Sequence, residues 1–136
     1  MHIMWFFSLE ATEMLKSVQQ LAAEAKTEIP ECQTTQVRAE VDKGGTLPYI
    51  LIDVREPNEH AQGIIPGAVP ISRGVLEMQV TKLTQDEAAP IVCYCGGGTR
   101  SLFAAQQLKK MGYTNVTSMA GGFGAWAKGG NPVTPP

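Results

Sequence analysis

Two short apolar runs constrain this chain most: Tyr49-Ile50-Leu51-Ile52 and Ile91-Val92-Cys93-Tyr94 show no alternation of apolar and polar side chains. A strand of that kind is buried on both faces, so layers must pack above and below it, as around a central strand of a parallel sheet. Each run then stops in a cluster of different character. The first ends in Asp53-Val54-Arg55-Glu56 and the second in Cys95-Gly96-Gly97-Gly98-Thr99-Arg100, so polar or reactive groups sit at both carboxyl ends.

Helix and strand patterns alternate around these runs. Residues 57–62 read as a short helix opened by Pro57, and 69–71 as a short strand in which Pro70 argues for an edge or a terminus. Residues 76–83 are helical. A helix over 100–111 turns Ala104, Ala105, Leu108 and Met111 inward, carries Lys109-Lys110 in its last turn and ends on Gly112. Val116-Thr117-Ser118-Met119 is a last strand, 123–127 a closing helical turn, and 129–136, with Pro132, Pro135 and Pro136, a tail. This order implies an α/β fold of three layers, with right-handed crossovers and a parallel sheet between helices. Ligands of such sheets bind beyond the carboxyl ends of the strands.

Upstream, Leu15, Val18, Leu21, Ala22 and Ala25 recur at three- and four-residue steps, which predicts a leader helix over 12–26 with those residues on one face, ended by Pro30. Thr35 is the expected cap of a second helix carrying Val37 and Val41, stopped by Gly44-Gly45. The chain divides into an extension over 1–33, a domain over 34–131 and a tail over 132–136. Its 136 residues amount to one domain of ordinary size. A net charge of −2 argues against a nucleic-acid binder that works by neutralising phosphates, and 43% hydrophobic residues argue against disorder.

The three cysteines, Cys32, Cys93 and Cys95, form an odd set with no repeated spacing, so at least one free thiol and a reducing compartment are expected. Ile3-Met4-Trp5-Phe6-Phe7 is shorter than a signal-peptide core of about seven residues and no Lys or Arg precedes it, and no stretch approaches a membrane span. The expectation is a soluble cytoplasmic protein whose apolar amino terminus docks on this domain, on a partner or on a second copy.

Cys95 stands between a buried strand and a helix. Gly96, Gly97 and Gly98 can curl so that successive N–H groups face the loop's centre, and the helix that follows adds the positive end of its dipole; both stabilise a thiolate. The bland alternative is a small apolar cysteine beside a tight turn. The ordered succession of strand, cysteine, three glycines and helix favours the nucleophile. The Gly-Lys-Ser/Thr ending of a phosphate loop is absent, as is the G-x-G-x-x-G spacing of a dinucleotide site. No metal is expected, because Cys32, Cys93, His2 and His60 are not at ligand spacing; Cys93 reads as packing, His60 as a surface helix residue and Trp126 as a core plug.

Four stretches, in order, resemble the rhodanese-type sulfurtransferase family over residues 35–131. Tyr94-Cys95-Gly96-Gly97-Gly98-Thr99-Arg100-Ser101 is similar to its active-site loop, and Asp53-Val54-Arg55 with Glu59 to its D-V-R-x-x-x-E strand end. Gly63-Ile64-Ile65-Pro66-Gly67-Ala68 resembles its G-H-I-P-G-A turn, and Gly121-Gly122-Phe123-Gly124-Ala125-Trp126 its closing G-G-x-x-x-W. The resemblance implies a five-stranded parallel sheet and a reaction without a cofactor. In it the Cys95 thiolate takes a sulfane sulfur from thiosulfate, mercaptopyruvate or a persulfide, holds it as Cys–S–SH and yields it to a thiol or to cyanide.

It also implies a substrate cradle made by Gly96, Gly97, Gly98, Thr99, Arg100 and Ser101. A cysteine phosphatase of this fold needs a ring one residue longer than the four residues that separate Cys95 from Arg100 here. Two departures bear on the donor and the turn. Gly96 replaces the Arg of many thiosulfate-using relatives, although mercaptopyruvate-using ones often carry Gly, and Ile64 replaces a histidine taken to be structural. Arg73 is either a solvated loop arginine or the charge that Gly96 lacks. Asp53 and Arg55 either form an ion-pair network with Glu59 or Arg100 or support the Cys95 loop from behind. Expected partners are a small sulfur donor and a thiol acceptor, or a persulfide-bearing protein; the alternative is a sulfur carrier or adaptor serving another enzyme, and the oligomeric state stays open.

Overall fold

A computed structural model of the protein describes residues 15–136. Its elements are α1 (Val18–Lys26), β1 (Glu31–Cys32), α2 (Thr34–Asp42), β2 (Ile50–Asp53), α3 (Pro57–His60), β3 (Val69–Pro70), a 3-10 turn (Arg73–Val75), α4 (Leu76–Leu83), β4 (Ile91–Tyr94), α5 (Thr99–Met111), β5 (Val116–Met119) and α6 (Gly122–Lys128). The five strands form one sheet in the order β1-β5-β4-β2-β3, with every pairing parallel. β4 lies at the centre, between β2 and β5, and Pro70, which has no N–H to give to a ladder, lies on the edge strand β3.

The pleat of β4 explains its composition. Ile91 and Cys93, with Cys95 beyond the strand end, belong to an apolar cluster shared with Ala25 of α1, Leu76 and Val80 of α4, and Leu102, Ala105 and Leu108 of α5. Val92 and Tyr94 face the other way, into a cluster with Val37 of α2 and Trp126 of α6. Successive side chains on a strand point to opposite faces, so a strand covered by helices on both faces has no solvent side and needs apolar residues throughout. Burying each such side chain contributes about 1.5–3 kcal/mol.

Several expectations are corrected here. β1 was not expected; two residues, one of them Glu31, carry no pattern, yet they close the sheet edge against Ser118 and Met119 of β5. The cap of α2 is Gln33 rather than Thr35: its backbone N–H donates to Gln36 Oε1 at 2.7 Å, and its main-chain carbonyl accepts from the Gln36 and Val37 N–H groups. Met111 is 42% exposed, not inward, because α5 outruns the sheet at that end. On α1 only Ala25 is fully buried, whereas Leu15 is 74% and Val18 55% exposed, so the leader rests on α5 through a narrower face than its spacing suggested. The helix starts only at Val18, with Ser17 as its N-cap, so Leu15 precedes it; residues 12–14 of the expected span and Ile3-Met4-Trp5-Phe6-Phe7 lie outside the described residues.

The carboxyl-terminal stretch is anchored. Thr134 pairs with Ile64 as an antiparallel bridge, through N–H···O bonds of 2.8 and 2.9 Å, and the Trp126 indole N–H donates to the Pro132 carbonyl at 2.7 Å. Among the described residues no helix is long and apolar enough to cross a membrane.

Candidate active site

The chain leaves β4 at Tyr94 and places Cys95 at the carboxyl end of the sheet, 1% exposed. Gly98 then adopts φ +104°, a left-handed conformation that glycine takes without a Cβ penalty, and serves as the N-cap of α5. That turn aims main-chain donors at the sulfur. The Gly98 N–H lies 3.1 Å and the Ser101 N–H 3.4 Å from Cys95 Sγ. Ser101 Oγ lies 3.5 Å from Sγ and is itself held by the Gly98 carbonyl at 3.2 Å and by Ser118 Oγ at 2.7 Å. The sulfur is thus fixed by the loop, by the first turn of α5 and, through Ser118, by β5.

The loop's carbonyls point the other way, onto the start of α6. Phe123 N–H donates to the Cys95 carbonyl at 2.7 Å and Gly124 N–H to that of Gly96 at 2.9 Å, which uses two of the amides a helix leaves unpaired in its first turn. Such an approach requires glycine. Gly122 has φ +58°, and a Cβ there would overlap the Cys95 carbonyl oxygen and lie 2.7 Å from the Gly96 carbonyl carbon and oxygen. The closing glycine motif therefore shapes the cysteine loop, a role its position late in the chain did not reveal. Its legible signal was a pair of glycines opening a short helix.

The charged residues sort into separate pairs. Arg100 forms a fork with Glu59, Nη1 to Oε1 at 2.7 Å and Nη2 to Oε2 at 3.1 Å, and this bond pulls the Glu59 carboxyl down to about 2. Asp53 pairs with Arg55 instead, at 2.8 Å, with both side chains buried, and Arg55 also donates to the Gly63 carbonyl at 2.8 Å. The Arg55 guanidinium stacks 3.9 Å from the centre of the Phe123 ring, so this pair reaches the cysteine loop through the residue whose N–H holds the Cys95 carbonyl. The expected network linking Asp53 and Arg55 with Glu59 or Arg100 is thus two pairs, not one.

His60 is not a surface residue. It is 7% exposed, with Nε2 3.2 Å from the Asp53 carbonyl oxygen and 3.3 Å from Asp53 Oδ1, at the end of β2. Arg73 donates its N–H to the Val54 carbonyl and pairs its guanidinium with Glu77 at 2.9 Å, in a groove with Leu21, Glu24 and Phe103. Cys93 lies wholly buried on the same face as Cys95, and burial pushes its thiol up to about 12. Gly97, Gly98 and Thr99 line a groove of about 190 Å³ with Ala22, Lys26 and Glu31. A roomier cavity of about 540 Å³ lies at the far end of β2, between Leu47, Tyr49 and Pro66, and no residue of the cysteine loop lines it.

A cysteine held by main-chain amides where the central strand of a parallel sheet meets the amino end of a helix defines an α/β protein with its candidate site at the carboxyl end of the sheet. Within that class the chain belongs to the rhodanese-like domain family, whose model matches residues 33–129. It is similar to a sulfurtransferase of Allochromatium vinosum, 36% identical over 91 residues that make up 67% of this chain and 83% of that protein. It is also 31% identical to a Bacillus subtilis protein described as "Putative sulfur carrier protein", over 77% of this chain and 55% of that one.

Among solved structures, one from Rhodopseudomonas palustris, described as "Possible Tyrosine Phosphatase", superposes with a TM-score of 0.80 at 30% identity, over 89% of this chain and 96% of that one. A thiosulfate sulfurtransferase from Pseudomonas aeruginosa gives 0.71 at 25% identity, over 82% of this chain and 21% of that one.

Proposed function

We propose that the protein is a rhodanese-type sulfurtransferase that carries a sulfane sulfur on Cys95 as a persulfide. The observation that supports this best is the convergence of the Gly98 and Ser101 N–H groups on Cys95 Sγ. Donors aimed at a sulfur favour negative charge there, and the amino end of α5 adds to it. In the first half-reaction the Cys95 thiolate attacks the outer sulfur of a donor R–S–SH. The donor's S–S bond breaks, R–S⁻ leaves with the bonding pair, and Cys95–S–SH forms; with thiosulfate the leaving group is sulfite. In the second, a thiolate or cyanide attacks the terminal sulfur and Cys95 departs as the thiolate.

The residues around Sγ have roles in this cycle. Gly96, Gly97, Gly98, Thr99, Arg100 and Ser101 frame the sulfur, and main-chain donors fixed before the reaction stabilise its charge without rearranging. Asp53 and Arg55 support the frame from behind through Phe123, whereas the Arg73–Glu77 pair lies in a separate groove. A free thiol of this kind fits a reducing, cytoplasmic compartment. The phosphatase reading is weaker, because the ring between Cys95 and Arg100 is one residue short and Glu59 occupies the Arg100 fork.

A second reading, a carrier that receives sulfur from a partner protein, draws on the description of the Bacillus subtilis relative and on the exposed Leu15 and Val18 of the leader. One experiment tests the leading reading. Incubation with thiosulfate, mercaptopyruvate or an alkyl persulfide adds the mass of one sulfur to the protein and none to Cys95→Ser; an unmodified wild type with all three refutes it. Loading without turnover onto thiol acceptors selects the carrier.

A further inference from the structure

The carboxyl ends of β2, β3 and β4 are rich in arginine, yet each of these arginines is matched by a carboxylate. Arg55 pairs with Asp53 at 2.8 Å, Arg73 with Glu77 at 2.9 Å and Arg100 with Glu59 at 2.7 Å. Lys26, which lines the groove beside Gly97 and Gly98, shares it with Glu31. Arg55 is buried and Arg73 lines a separate groove. The cations left near the cysteine loop are Arg100, paired with Glu59, and Lys26, beside Glu31, so the rim carries little net positive charge. Of these pairs the Arg100–Glu59 fork stands nearest the loop's opening residue. A Cβ on Gly96 would lie 3.0 Å from Arg100 Nη2 and 3.7 Å from Glu59 Oε2, so the absent side chain of Gly96 leaves room that this pair borders.

We propose that Glu59 sets the donor selectivity of the Cys95 site: by holding Arg100 in a fork it keeps the rim neutral and selects organic persulfides of low charge over doubly charged oxyanion donors such as thiosulfate. The proposal rests on the sulfur-transfer reading above and names the donor class for it. Arg100 is the group that would meet an anion, and Glu59 is a positioning residue that acts through it. A bidentate carboxylate both neutralises the guanidinium and uses the donors an oxyanion would need. The Gly98 and Ser101 N–H groups are already engaged with the sulfur, so these two offer a dianion little before reaction.

The test measures the rate at which Cys95 gains sulfur, by mass, from thiosulfate and from the persulfide of 2-mercaptoethanol, in the wild type, Glu59→Gln and Glu59→Asp. In Glu59→Gln the ratio of thiosulfate to persulfide efficiency should rise about tenfold, carried by a lower KM for thiosulfate, since one uncompensated charge near a dianion is worth about that at the surface of a protein. Glu59→Asp, which keeps the carboxylate, should return the ratio towards that of the wild type. The same ratio in all three proteins overturns the proposal.

A second measurement needs no variant. Loading of the wild type by thiosulfate should be nearly independent of ionic strength, and a steep fall with added salt reveals an uncompensated positive rim and also overturns it. If neither donor loads any of the three proteins, the sulfur-transfer reading itself is refuted.

Discussion

Gly122→Ala separates the cost of an unusual backbone angle from the cost of a blocked contact. At φ +58° an alanine loses about 1–2 kcal/mol relative to glycine. Its methyl group would also overlap the Cys95 carbonyl oxygen and lie 2.7 Å from the Gly96 carbonyl, and these are backbone atoms that cannot rotate away. Overpacking of this kind costs about 1–3 kcal/mol more, and retreat of the loop loosens the Phe123 and Gly124 hydrogen bonds that hold it.

The expected loss is about 2–5 kcal/mol, a large part of the 5–15 kcal/mol that keeps a domain folded. Gly44→Ala is the control: φ there is +71°, but nothing lies within 4 Å of an added Cβ, so only the backbone cost of about 1–2 kcal/mol applies. Urea denaturation gives both stabilities, and sulfur loading reports the geometry around Sγ. If Gly122→Ala loses no more stability than Gly44→Ala and loads sulfur at the wild-type rate, the account of α6 as the outer half of the cysteine loop is wrong.

Two further outcomes follow from the charges and thiols. The Glu59 carboxyl is lowered from 4.5 to about 2 by its bond from Arg100, so its contribution to stability is complete above about pH 4.5 and is lost as pH falls towards 2. The stability difference between the wild type and Glu59→Gln, measured in urea, should accordingly shrink over that window; a constant difference refutes the pairing as its cause. Cys93, with no exposed surface and a thiol pushed up to about 12, should resist iodoacetamide in the native protein at pH 8 and react only in denaturant; native labelling of Cys93, read by peptide mass, contradicts its place in the core.

The central architecture was legible because it rests on local periodicity. The residues of β4 had to be apolar on both faces, and the glycines after Cys95 and at Gly112 mark a helix start and a helix end that chain geometry requires. The pairing of charges was not legible in the same way. Asp53, Glu56 and Glu59 all stand close to Arg55 along the chain, Arg100 lies 41 residues beyond Glu59, and only the fold decides that Glu59 takes Arg100 while Asp53 folds back on Arg55. The burial of His60 has the same origin. β1 and the narrow contact of the leader helix escaped for another reason: two residues are too few to show a period, and a helix that is apolar on one face need not have all of that face covered.

The order in which the chain is made gives the clamp on the cysteine loop a consequence in time. Cys95 and the glycines that follow it are synthesised before Phe123, Gly124 and Thr134, and a domain folds as a unit once its chain has emerged. Until α6 exists, the Cys95 and Gly96 carbonyls lack their partners, and until residue 134 is in place Ile64 lacks its bridge. A ribosome-bound chain therefore already holds Cys95 while the segments that orient its loop are still unmade. The loop around Cys95 can acquire its full set of hydrogen bonds only after residue 124 has been made.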